Sequence, residues 1–265
     1  MKHQFIKMHG LGNDFVIFDA RSAPITVPPE AVIKIANRRM GIGCDQLIVL
    51  TPPKSPANDA FMSIYNDNGH EVGACGNATR CVGWLISNNG ASIETKSGVL
   101  LVDNLTENAA TAQMGQMKFN WQDIPLVHEV DTLNIDLKIP GLPNGSCTSI
   151  GNPHTVFFIN DIDIEKYGPL VENHPLFPER TNVEFIQVLD RNRIKMRVWE
   201  RDVGETLSCG TGACASAAIA HKHGLIDKTC EVISRGGTLI VDLDSDYNVK
   251  ITGEVAVSFI GQIDL

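Results

Sequence analysis

Residues 61–76, FMSIYNDNGHEVGACG, and residues 195–210, KMRVWERDVGETLSCG, decide how this chain is built. Laid one over the other with Cys75 on Cys209, they run in step without a gap at an offset of 134 residues (209 less 75). Met62 falls on Met196, Ile64 on Val198, Tyr65 on Trp199, Glu71 on Glu205 and Gly76 on Gly210. Each stretch opens with the alternation of a half-buried strand, passes through a polar loop and ends at Cys-Gly.

The match extends in both directions. Downstream, GNATRCVGWLISN (76–88) and GTGACASAAIAHKH (210–223) are apolar and Ala-rich and of helical length. They close toward Gly90 and Gly224, where a left-handed C-terminal glycine belongs. Upstream, with small gaps, Gly12-Asn13 in HGLGNDFVIFD answers Gly151-Asn152 in SIGNPHTVFFIND, and DQLIVL from Asp45 answers TNVEFIQVL from Thr181. Rare residue types matched in chain order mark a duplication rather than the chance similarity of β-rich sequence. The chain therefore reads as α+β, two pseudo-symmetric domains about a pseudo-twofold axis, with the paired Cys-Gly turns at or near their interface. A further helix fits 29–39, and strand-like runs occupy 98–103, 126–139, 231–243 and 249–259. The stretch from Leu105 to Pro125 reads as the crossover. The domains are then 1–117, with the strand 257–265 returning to it, and 118–256.

Bulk composition narrows the partners. With 265 residues, 43% hydrophobic and 20% charged, the chain can bury two cores. A net charge of −9 excludes the basic face that nucleic acid or an acidic membrane would require. No apolar run approaches the roughly 18 residues of a membrane helix, and the N-terminus lacks a secretory apolar core, so a cytoplasmic protein is expected. Seven cysteines are an odd count without disulfide spacing. Neither Cys75 with Cys81 nor Cys209 with Cys214 has the C-x-x-C spacing of a structural zinc site, so no metal is expected.

The two cysteines carry chemistry because of where they sit. A thiol at a helix N-terminus meets unpaired N–H groups and the positive end of the helix dipole, which favours thiolate. The glycine after it opens those N–H groups to a carboxylate and to the charge that grows when an α-carbon loses its proton. Two such turns, facing each other, supply one group on each face of a carbon. One thiolate takes a proton while the other thiol returns one, which is what stereoinversion needs. A disulfide between them would be an inactive by-product.

The copies differ where the rest of a substrate would be read. At the same offset Asn66 falls on Glu200, Asp67 on Arg201 and Asn77 on Thr211. A Glu-Arg pair beside asparagines suits an ammonium and a carboxylate together, that is, a second amino-acid head group. Asn13, Gln46, Asn152 and Asn182 join the site through their repeat positions. His154 and Glu200 could tune a thiol.

HGLGNDFVIFD, GIGCDQLIVL, YNDNGHEVGACGNATRC, GNPHTVFF, ERTNVEF and WERDVGETLSCGTGACAS, in that order along nearly the whole chain, resemble the diaminopimelate epimerase family. The resemblance implies two domains, each a β-barrel-like sheet around a central helix. It implies interconversion of LL- and meso-2,6-diaminopimelate without pyridoxal phosphate or metal, in lysine and peptidoglycan precursor synthesis, by a homodimer. Carried over by motif, Cys75 and Cys209 are the acid/base pair. Asn13, Gln46, Gly76-Asn77 and Gly210-Thr211 hold the reacting end. Asn66, Asn152, Asn182, Glu200 and Arg201 hold the distal end, with His154 and Glu200 as modulators of the thiols. The sequence departs from the family pattern at Ala78, where a second glycine is usual, at Asn68 and His70 in the polar loop, and at Lys118, where a proline is common. None of these removes a polar contact.

Overall fold

The computed structural model describes residues 2–73, 75–103 and 106–265. The chain divides into two compact units, Met1–Gln113 with Thr252–Leu265, and Met114–Ile251.

In unit 1, β1 (Lys2–Gly10) lies between β2 (Asn13–Asp19) and β17 (Ala256–Asp264), antiparallel to both. Strand β2 runs parallel to β3 (Gln46–Thr51), which pairs antiparallel with β4 (Ala60–Asn66). β4 pairs with the short β5 (Glu71–Val72) and, in parallel, with β6 (Ala91–Thr95). β7 (Gly98–Asp103) and β8 (Ala109–Gln116) continue the sheet. Both faces of β2 and β3 are covered, which is why NDFVIFD and QLIVLT read as nearly unbroken apolar runs. Val16, Phe18, Leu47 and Val49 pack with Val32 and Ile35 of α1 (Pro29–Ala36). The alternate residues Phe15, Ile17 and Ile48 are as fully buried on the other face. Helix α2 (Gly76–Ile86) packs against β1, β6 and β7.

Unit 2 repeats the order. β9 (Ser146–Ser149) pairs antiparallel with β10 (Pro153–Phe158), and β10 runs parallel to β11 (Asn182–Asp190). β11 pairs with β12 (Arg193–Glu200), which pairs with β13 (Gly204–Thr206) and, in parallel, with β14 (Thr229–Ser234). β14 and β15 (Gly237–Leu243) form a hairpin, and β16 (Asn248–Glu254) follows. Helix α4 (Gly210–Lys222) touches β9, β10, β11, β12, β14 and β15. Its Ala, Gly, Cys and Ser residues are buried almost all round, as a helix enclosed by sheet must be. It ends as expected: Gly224 at φ 71° donates to His221 O, and Leu225 donates to Ala220 O, a Schellman closure.

The strand registers equate the copies residue by residue. Phe15 pairs with Gln46 as His154 pairs with Asn182, and Leu47 pairs with Tyr65 as Val183 pairs with Trp199. Gln46 is therefore the counterpart of Asn182, Phe15 of His154 and Ile48 of Glu184.

Several expectations need correction. Residues 126–139 form no strand; an isolated bridge joins Ile135 to Gly145, while Leu126, Ile135 and Leu137 are spent on the core. Asp131 and Asp136 instead accept the N–H groups of Leu133 and Lys138 and turn the chain. The 231–243 run is two strands folded back at Arg235–Gly236, and the 249–259 run breaks at Val255. The helix expected over 29–39 ends at Ala36, and Gly90 lies past the end of α2 rather than on it. The expected crossover holds β8; Leu105, its first residue, lies outside the described residues. Helix α3 (Ile164–Glu172) was hidden by Gly168 and Pro169. Asp163 caps it by accepting from Lys166 N, and Gly168 is small because a Cβ there would lie 2.5 Å from the Trp199 ring.

Candidate active site: two cysteine-centred clusters

In unit 1, Cys75 is the N-cap of α2, half-buried, and its carbonyl accepts from Thr79 N at 2.9 Å. Cys75 Sγ lies 3.7 Å from Asn13 Oδ1, which also accepts from Asn77 Nδ2 at 3.3 Å. Asn77 Oδ1 in turn accepts from the fully buried Arg80, Nη2 at 2.9 Å. Asn13 follows a tight turn at Leu11 and Gly12, both at positive φ, and donates Nδ2–H to Asp45 Oδ2 at 2.9 Å.

An ionic lock holds that turn. Arg38 bonds Asp14 at 2.7 Å and Asp45 at 2.6 Å, and Lys7 bonds Asp14. Burial pushes Asp14 up, but Arg38 and Lys7 overcome it and hold the carboxyl down at about 2. Elsewhere in the unit, Gln46 donates to Asn66 Oδ1 at 2.9 Å across the β3–β4 pair.

In unit 2, Cys209 caps α4, and its buried sulfur accepts from Gly212 N at 3.4 Å. Thr211 Oγ1 is 3.4 Å from the sulfur and accepts from Asn152 Nδ2 at 3.4 Å. Asn152 Oδ1 faces His154 Nε2 at 3.2 Å, and His154 Nδ1 faces Glu184 Oε1 at 2.7 Å. Glu200 accepts from Thr206 Oγ1 at 2.5 Å and is bonded by Cys209. Asn182 donates to Pro153 O and accepts Arg201 N. Glu200 and Arg201 turn to different partners, since the Arg201 guanidinium bonds the Glu179 carbonyl.

Electrostatics here runs against the helix-terminus expectation. Burial first, then the carboxyls of Glu200 and Glu184, push the Cys209 thiol well above its ordinary value, against the smaller opposing pull of Thr211 and the Gly212 N–H. Burial likewise raises Glu200. Desolvation of a wholly enclosed sulfur outweighs the N–H it accepts at the helix start.

The expected residues thus gather into Cys75, Asn13 and Asn77 beside Gly76 in one unit, and Cys209, Thr211, Asn152, His154 and Glu200 beside Gly210 in the other. Gln46 with Asn66, and Asn182 with Arg201, form separate pairs. Sequence reasoning missed Glu184, Arg80 and the Asp14–Asp45 lock. The signal for Glu184 was a carboxylate amid the apolar NVEFIQV, at the place where the first copy has Ile48. Glu184 also accounts for Gly212, since a Cβ there would lie 2.8 Å from its Oε1. Ala78, the counterpart of Gly212, fits in unit 1, where Ile48 stands at the place of Glu184.

Among the described residues no helix is long and apolar enough to cross a membrane.

In fold, the chain is similar to a hydroxyproline epimerase from Agrobacterium vitis solved with trans-4-hydroxy-L-proline: TM-score 0.72 at 16% identity, covering 100% of this chain and 93% of that one. The architecture is thus one on which an amino-acid epimerase is built. In sequence, a model of the diaminopimelate epimerase family matches residues 5–120 and 146–257. The diaminopimelate epimerase of Rhodospirillum centenum is 42% identical over 270 residues, 99% of this chain and 93% of the relative. That of Phenylobacterium zucineum is 44% identical over 275 residues, 99% and 98% of the two chains. The chain belongs to the diaminopimelate epimerase family.

Proposed function

We propose that this chain is a diaminopimelate epimerase, an isomerase that interconverts LL- and meso-2,6-diaminopimelate in lysine and peptidoglycan precursor synthesis. The observation that carries the reading is the repeat of one device: Cys75 and Cys209 each cap a helix that begins with glycine, at equivalent places in a duplicated unit.

Inversion removes the α-proton to a thiolate on one face and returns a proton from a thiol on the other, so the enzyme ends each turnover with the two roles exchanged. The carbanionic intermediate puts its charge on the substrate carboxylate, where the N–H groups opening α2 and α4 stabilise it. Neither step requires an electron acceptor, so the cycle closes without a cofactor. Asn13, Gln46, Gly76, Asn77, Gly210 and Thr211 hold the reacting amino-acid end. Asn66, Asn152, Asn182, Glu200 and Arg201 read the distal end, and His154 with Glu200 adjusts the thiols. The two domains are 1–117 with 257–265, and 118–256. The enzyme works in the cytoplasm as a homodimer.

The test is direct. Reduced protein incubated with LL-diaminopimelate in D₂O yields meso product deuterated at the inverted carbon. Absence of both label and inversion overturns the reading. A panel with lysine, histidine and hydroxyproline tests the distal pocket, since only a substrate with a second head group should turn over.

A further inference from the structure

Glu184 is the third residue of β11, wholly buried, with Oε1 2.7 Å from His154 Nδ1. The other ring nitrogen, Nε2, faces Asn152 Oδ1 at 3.2 Å. An amide oxygen only accepts, so Nε2 carries a proton and donates it. Asn152 donates Nδ2–H to Thr211 Oγ1, and that oxygen stands 3.4 Å from Cys209 Sγ. A hydroxyl that accepts from an amide has its own proton left to give. Donation can then run one way, from His154 to the sulfur, with Glu184 as the acceptor at the start of the line. In unit 1 the counterparts of His154 and Glu184 are Phe15 and Ile48, and the device is absent there.

We propose that Glu184 is a positioning residue: through His154, Asn152 and Thr211 it keeps a hydroxyl proton aimed at Cys209 Sγ, supporting the thiolate when Cys209 acts as the base. The proposal deepens the epimerase reading and rests on it for its catalytic meaning. The ionisable groups facing Cys209 are Glu200 from β12, Glu184 from β11 and His154 from β10. By charge alone Glu184 opposes a thiolate; as the head of the line it favours one. The two roles predict opposite signs, which makes them separable.

The experiment follows alkylation of Cys209 against pH in the whole protein, resolved by mass spectrometry of the Cys209 peptide, so its readout does not need turnover. Thr211→Val moves the titration to higher pH, on the order of one unit, the size of a hydrogen bond to a charged group. The double change His154→Phe with Glu184→Ile, which installs the residues of unit 1, moves it the same way, and adding Thr211→Val moves it no further. Glu184→Gln keeps an oxygen for Nδ1–H but loses the charge that opposes a thiolate, so it moves the titration down; Glu184→Leu loses charge and acceptor together and titrates above Glu184→Gln. Equal titrations in Glu184→Gln and Glu184→Leu mark Glu184 as a charge only and overturn the proposal, as does an additive shift in the triple variant. If the double variant does not fold, Glu184→Gln against Glu184→Leu, with Thr211→Val, decides alone. Failure of the epimerase reading would show instead as unlabelled substrate in D₂O with wild-type protein.

Discussion

Cys209 is a thiol in a carboxylate-lined pocket, and its raised pKa sets what single substitutions should do. Serine in place of Cys75 or Cys209 keeps the shape but removes a group that can ionise near neutrality. Each change should lower kcat by about 10² to 10⁴, the range lost with one acid/base group; near-normal turnover in either variant would break the two-base assignment. Gly212→Ala places a methyl against the enclosed Glu184 carboxylate. It should cost about 1–3 kcal/mol in urea unfolding, whereas Ala78→Gly at the matching place should cost about 1 kcal/mol or less, a helix-propensity effect. At this scale the sequence pointed to Cys75, Cys209, Asn13 and Asn152, where repeat and motif coincide. It was mute at Glu184 and Arg80, because burial of a charge is decided by the elements that close over it, and no local pattern announces it.

Among the elements, helices α2 and α4 could be read from composition and from the Cys-Gly starts, and the strands β4 and β12 from their alternation. Helix α3 could not, because Gly168 and Pro169 weaken every local helix signal. The reason for Gly168 is tertiary: the Trp199 ring occupies the space of its side chain. Gly168→Ala should therefore destabilise unit 2 by about 1–3 kcal/mol despite the better helix propensity of alanine, as overpacking does. A rise in the thermal midpoint would refute that packing account. The failure over 126–139 has a related origin. Ile135, Leu137 and Ile139 face the core with a strand's alternation, yet aspartate turns interrupt any ladder. Hydrophobic pattern reports burial first and pairing only second.

For the whole molecule, pH should act from both sides. Burial pushes the thiols of Cys44, Cys81, Cys147 and Cys230 from 9.0 up to about 12. Their folded pKa is raised, so their contribution to stability is complete below pH 9 and is lost as pH climbs toward 12. Asp14 is the reverse: its pKa falls from 3.8 to about 2, so its contribution is whole above 3.8 and is lost as pH drops through 2. Melting temperature measured by circular dichroism should hold a plateau through neutrality and decline beyond pH 9 and below pH 4. Asp14→Asn should flatten the acid limb, and an unchanged limb would show that the lock around Asn13 contributes nothing. The two-copy plan was visible in the sequence because it is written as repetition. The distinct electrostatics of the copies was not, since it depends on which strand residues face each helix start.

The pairing of β1 with β17 has a consequence for how the protein is made. Translation delivers β1 before the other strands of its unit, and its partner only after all of unit 2 has been synthesised. Through that interval the first unit lacks a strand, while Met114–Ile251 is contiguous in sequence. The later half is then free to fold ahead of the earlier one. The edge of β1 stays open to misjoining until the closing strand arrives, the stage at which a chaperone would have most to protect.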